Sequence, residues 1–221
     1  MTTATQLETV LPGLLATSGQ PLAFAPRTAV RSFLLQREEG NVLVYASGTV
    51  AAEAAAIEAA GGAERQFLNH DHEAMFLPGN AVAPLFAHER DAAVIEQSGA
   101  RLRSTFDRHF ALGDDFEAIP IPGHTPGATA FLWDEGDHRV LLTGDSLYLR
   151  DGGDWRVAIL DSSDRGAYLE SLVLLRDEVD FDVLAPWAAP VGQPPIAHVE
   201  PGEARRRLDA IVDRVWKGER S

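Results

Sequence analysis

Four side chains carry the chemistry legible in this chain. His70 and His72 stand two positions apart in FLNHDHEAMF, at the end of an apolar run. In extended backbone, side chains at i and i+2 share one side, so both imidazoles can meet a single ion. The pair alone equally suits two surface histidines in a loop. His124 lies in PIPGHTPGATAFLW, where Pro122, Gly123, Pro126 and Gly127 punctuate a turn between two apolar runs. A turn of that composition holds its side chain at a sheet edge with little freedom, which suits a preorganised ligand. Asp145 follows the apolar run in RVLLTGDSLY; an acid there suits a ligand, and equally a turn residue or a cap. With no cysteine in the chain, His, Asp or Glu must supply any metal ligand, and no disulfide framework is available.

The segments that must position these side chains alternate between strand and helix, without repeats or low-complexity linkers. SFLLQRE and NVLVYAS flank Glu39, Gly40 and Asn41 and predict a hairpin. VAAEAAAIEAAGG predicts an alanine-rich helix stopped by its two glycines, and RQFLNH a short strand whose end delivers the histidine pair. After PLFAH a helix is expected from Glu89 to Gln97. The strands FEAIPIP, ATAFLW, RVLLTG and WRVAIL follow, then a helix in RGAYLESLVLLRDEV, a buried strand in FDVLAP and an amphipathic helix in EARRRLDAIVDRVW. Strands in two groups, with helices between and after them, predict packed sheets covered by helices.

Composition narrows the function. With 221 residues and 45% hydrophobic content the chain can bury a substantial core, and residues 1–221 read as one domain. A formal net charge of -14, with Lys217 the sole lysine, leaves no basic stretch to neutralise phosphates and argues against nucleic acid as a partner. The opening stretch MTTATQLETVLPGLLATSGQPLAF has no basic start, and Pro12, Gly13 and Gly19 interrupt its apolar run. It makes a poor secretion signal, and no segment is long enough to span a bilayer, so a cytoplasmic protein without membrane contact is expected.

Taken in order, these pieces resemble the metallo-β-lactamase superfamily. PGHTPG followed some twenty residues later by LLTGDSLY is the most specific part, and the likeness runs from the opening hairpin to about Pro190. The resemblance implies an α/β (α+β) fold, the αββα four-layer sandwich, with a metal site at one edge of its two sheets. It also implies that His70, His72 and His124 hold a first metal, with Asp145 in the place of the acid that bridges to a second. Three positions depart from the family pattern. Ala74 and Met75 stand where HxHxDH has Asp and His, and Trp187 stands where a last His is expected. All three belong to the second metal alone, so the expectation is one transition-metal ion, zinc before iron. The three replacements are expected to form a dry apolar wall in the emptied half of the cleft.

The activity this implies is hydrolysis of a small ester, thioester or lactone through water bound to a single metal ion. Three His and one Asp close a tetrahedron, however, unless Asp145 stands off or the ion becomes five-coordinate. The family acid that orients the attacking water is missing at position 74, which leaves Glu73 and Asp71 as candidates for that role, although period-2 geometry points both away from the histidine pair. One alternative is a mononuclear iron enzyme resembling the persulfide dioxygenases, since two His and one Asp suit non-haem iron. Another is a relative that binds a metal or a ligand without turnover. A small-molecule substrate is the expected partner, and a homo-oligomer stays open. His88 reads as a packing or capping residue, His109 and His138 as solvated, and His198 as a loop residue near the last helix.

Overall fold

The computed structural model describes residues 6–77 and 79–219; residues 1–5 of the opening stretch lie outside these. In chain order its elements begin with β1 (Glu8–Leu11), β2 (Leu14–Ala16), β3 (Gln20–Leu22), β4 (Ala25–Val30), β5 (Phe33–Leu35), β6 (Val42–Val44) and α1 (Ala54–Ala59). Next come β7 (Arg65–Phe67), a 3-10 helix at Asp71–Phe76, β8 (Leu85–His88), α2 (Glu89–Gln97), β9 (Leu102–Phe106), β10 (Phe110–Leu112) and β11 (Phe116–Pro120). The remainder is β12 (Thr129–Asp134), β13 (Arg139–Leu142), β14 (Tyr148–Leu149), β15 (Trp155–Arg156), α3 (Arg165–Glu178), β16 (Val183–Leu184), β17 (Ala188–Pro190), β18 (Ala197–His198) and α4 (Pro201–Trp216).

Two mixed sheets form the centre. One has the order β1-β2-β5-β6-β7-β8-β9, antiparallel as far as β6 and parallel from β6 to β9. The other runs β10-β11-β12-β13-β16-β18, and a small sheet β17-β4-β3 adds Leu22, Val30 and Ala188 to the core between them. Alternation along the strands explains the layering. Val42 and Val44 enter the cluster between the sheets with Phe67, Phe131, Trp133 and Val140, while Leu43 turns the other way and packs with Ile57 of α1. On β12 and β13, Leu132 and Leu141 face outward to Leu172 of α3 and Leu208 of α4. Strands apolar on both faces therefore demand a helical layer outside each sheet, and the result is an αββα sandwich. Phe116 and Phe131 stack at 5.6 Å in the inter-sheet core.

Some local expectations change. The hairpin at Gly40 and the helix at Glu89–Gln97 form as read. The alanine-rich segment is helical only over Ala54–Ala59, and it ends before Gly61 and Gly62, both with positive φ. WRVAIL keeps strand structure only at Trp155–Arg156. The strand in RQFLNH ends at Phe67, with one further hydrogen bond from Leu68 N–H to Phe86 O, so the histidines lie beyond the strand and not on it. Among the described residues no helix is long and apolar enough to cross a membrane.

Candidate metal centre

His70, His72, His124 and Asp145 each present one ligand atom within 4.8 Å of the others. They reach this point from three separate segments. His70 is extended, with φ -158° and ψ 168°, and caps the 3-10 helix that carries His72 on its first turn. The two rings meet edge to face at 5.1 Å. The sequence reading placed both on an extended strand; the convergence instead comes from one extended residue followed by a tight helical turn. The His124 ring lies 5.0 Å from His70 and 4.9 Å from His72. Asp145 Oδ2 stands 3.7 Å from His70 Nε2 and 3.8 Å from His124 Nε2.

Neighbouring groups set which nitrogen of each ring faces inward. The Ala158 carbonyl lies 2.7 Å from His124 Nδ1, so the proton belongs on Nδ1 and the Nε2 lone pair faces the cluster. His70 turns Nδ1 toward the Glu73 carboxylate at 3.3 Å and Nε2 toward Asp145. His72 Nδ1 lies 3.1 Å from His124 Nε2, and its Nε2 is 3.5 Å from Asp71. Burial holds the His70 imidazole down at about 4, and burial together with the neighbouring His70 holds His124 at about 3, so both rings are neutral and ligand-ready at neutral pH. Asp145 is raised by burial, which the nearby His70 opposes.

These residues fit a transition-metal ion. His70 Nε2 is buried without a hydrogen-bond partner, a costly state that coordination would relieve. Tetrahedral ligation at about 2.0–2.1 Å would put donor nitrogens roughly 3.3 Å apart, close to the spacing found between His72 and His124. Three imidazoles and a carboxylate suit zinc or iron and not calcium or magnesium.

Three carboxylates outside this cluster frame it. Glu73 is fully buried and accepts hydrogen bonds from the backbone N–H groups of Ala46 (2.6 Å), Asn69 (2.8 Å) and His70 (3.3 Å). Burial raises its carboxyl to about 8, against the pull of those three donors. Its Oε1 also lies 3.3 Å from the outer nitrogen of His70, contrary to the alternation argument. Asp71 flanks the outer nitrogen of His72 in the same way. Asp91, on α2, accepts from Thr125 Oγ1 (2.6 Å), Gly127 N–H (2.7 Å) and Asp71 N–H (3.1 Å), tying the His124 turn to the His70–His72 segment. Gly127 leaves room for this: a Cβ there would stand 2.6 Å from Asp91 Cγ.

The family model described as Metallo-beta-lactamase superfamily matches residues 67–183, more than half of the chain, and spans every ligand named above. The chain belongs to the metallo-beta-lactamase superfamily. Among solved structures, TMB-1 is 13% identical with a TM-score of 0.71, covering 96% of this chain and 98% of that one. The metallo-beta-lactamase from Pontibacter korlensis is 14% identical with a TM-score of 0.68, covering 94% and 98%. A metallo-beta-lactamase from Cronobacter sakazakii with a HARLDQ motif is 13% identical with a TM-score of 0.64, covering 97% and 95%. At these identities the likeness carries the metallo-beta-lactamase fold alone. A comparison with curated proteins found no match.

The three positions that depart from the superfamily pattern do not form one wall. Ala74, within the 3-10 helix, is buried in an apolar cluster with Leu68, Leu77 and Ile95. Met75 is 55% exposed. Only Trp187 reaches the histidines, its ring 5.2 Å from His70, and Phe76 packs against it at 5.7 Å. A 3-10 turn after His70 sends successive side chains to different sides, which the extended reading of this segment missed. The other histidines stand away from the cluster. His88 caps α2 by accepting from Arg90 N–H, His109 pairs with Glu117, and His138 lies beside Asp182 and His198.

Proposed function

We propose that this protein is a metal-dependent hydrolase that uses a single ion, zinc before iron, to open a small ester, thioester or lactone. The observation that carries this reading is the convergence of His70, His72, His124 and Asp145 around a buried, unpartnered His70 Nε2. Asp145 stands wider of the histidine nitrogens, at 3.7 and 3.8 Å, than His72 and His124 stand from each other, at 3.1 Å, which leaves a place for water; an ion held there would supply Lewis acidity to activate that water and polarise a carbonyl.

The surrounding residues bias the site toward turnover and not toward mere structural binding. The His72 and Asp145 side chains remain 33% and 21% exposed, so one side of the cluster faces solvent while His70 and His124 are sealed. Trp187 covers the flank of His70 and excludes water there. Glu73 and Asp71, the carboxylates considered as bases, act on this reading through ring orientation, since each faces the outer nitrogen of a histidine.

The test is a panel of activated esters, thioesters and lactones offered to zinc-loaded protein without oxygen. Cleavage that is lost in His70→Ala supports the hydrolase. Turnover only with iron, consuming oxygen in the presence of a persulfide, would replace it with the dioxygenase. Silence under both regimes would leave a binding protein without turnover.

A further inference from the structure

Among the described residues, Tyr45 is the only non-glycine residue with a positive φ, 71°, and its side chain is fully buried. Side chains of this size rarely adopt such backbone, and they persist there only where the surroundings over-determine them. The consequence is visible in the core. Val44 and Tyr45 both enter the cluster between the sheets, although alternation would send consecutive side chains to opposite faces. The left-handed turn at the end of β6 redirects the ring inward.

Four hydrogen bonds hold the residue in this conformation. Its N–H donates to Phe67 O at 2.9 Å and its carbonyl accepts from Gln66 Nε2 at 2.8 Å, both on the strand that leads to His70. Its hydroxyl donates to Ala185 O and accepts from Gly144 N–H, each at 2.9 Å. Gly144 immediately precedes Asp145, and Ala185 lies two residues before Trp187. The next residue continues the pattern, because Ala46 N–H donates to Glu73 and Ala46 O accepts from the Trp187 indole. Gly144 itself has φ 60°, and a Cβ there would collide with the Asn69 amide, so the chain before Asp145 is closely confined.

We propose that Tyr45 is a positioning residue of the metal centre, its hydroxyl fixing the Thr143–Gly144 peptide, one residue before Asp145, so that the Asp145 carboxylate faces His70 and His124. The inference rests on the metal reading of the cluster. Removing the hydroxyl leaves the buried Gly144 N–H without its acceptor and frees Asp145 to re-aim, while the ring's packing against Phe33 is retained.

The experiment compares wild type, Tyr45→Phe and Trp133→Phe for zinc affinity by chelator competition and for the visible absorption of the cobalt-substituted proteins. Trp133→Phe is the control: it deletes a buried indole's bond to Asp115 at the far end of β12. Tyr45→Phe should bind zinc 10- to 100-fold more weakly with an altered cobalt spectrum, while the control matches wild type. Zinc affinity within twofold of wild type and an unchanged spectrum would overturn the proposal. Failure of Tyr45→Phe to fold would do the same, by making the hydroxyl a requirement of the sandwich. If wild type itself binds neither metal, the metal reading falls and takes this inference with it, an outcome distinct from binding that Tyr45→Phe leaves untouched.

Discussion

Trp187 stands edge-on to His70, with ring centroids 5.2 Å apart at 80°, and donates its indole N–H to the Ala46 carbonyl at 2.8 Å. The indole is thus locked at both its apolar face and its polar tip, and it fixes the ring beside it. Trp187→Ala is expected to cost roughly 3–5 kcal/mol of stability, read by chemical denaturation of the metal-free protein. Metal content should stay at about one ion per chain, because buried Ala74 and exposed Met75 offer no ligand to the vacated space. A variant that takes up a second ion would contradict this picture of the cleft.

Asp91 joins the two ligand-bearing segments through three donors that would otherwise lose a buried acceptor. Asp91→Ala should cost about 2–4 kcal/mol and weaken zinc binding by about 10- to 100-fold, with Asp91→Asn between the variant and wild type. Denaturation and chelator competition give the two numbers. A stability loss with unchanged zinc affinity would confine Asp91 to the fold.

Away from the cleft, the His138–Asp182 contact at 2.8 Å makes a pH-dependent contribution. The hydrogen bond to Asp182 raises the His138 imidazole above its ordinary 6.5. Its stabilisation is therefore fully present below about pH 6.5 and is lost as pH rises through the raised value. Because the pair is largely solvated, the effect stays within about 1 kcal/mol. His138→Gln should lower the thermal midpoint at about pH 5.5 and leave it unchanged at about pH 9. An equal penalty at both pH values would rule out a charge-based origin.

How much of this was legible beforehand depended on whether the signal was local. The strands of the sandwich show in apolar runs such as ATAFLW and RVLLTG, and the candidate ligands show because His124 and Asp145 sit in short, distinctive turns. The first strands, β1 and β2 at the edge of the seven-stranded sheet and β3 and β4 of the small one, carried too little alternation to be read. Asp91, and the bonds that fix Glu73, were opaque for a different reason: most of their donors are backbone N–H groups of residues as distant as Ala46 and Gly127, which no side-chain pattern records. Tyr45 was hidden likewise, since the value of φ at one residue decides where its ring goes. Met75 shows the opposite failure, a plausible position undone by a 3-10 turn.

The central claim is that His70, His72, His124 and Asp145 together hold one ion. Elemental analysis of protein purified without chelators, set beside His124→Ala shown by circular dichroism to be folded, tests it most directly. About one transition-metal ion per chain is expected in the wild type and close to none in the variant. A content near two per chain, or an unchanged content in His124→Ala, would contradict it.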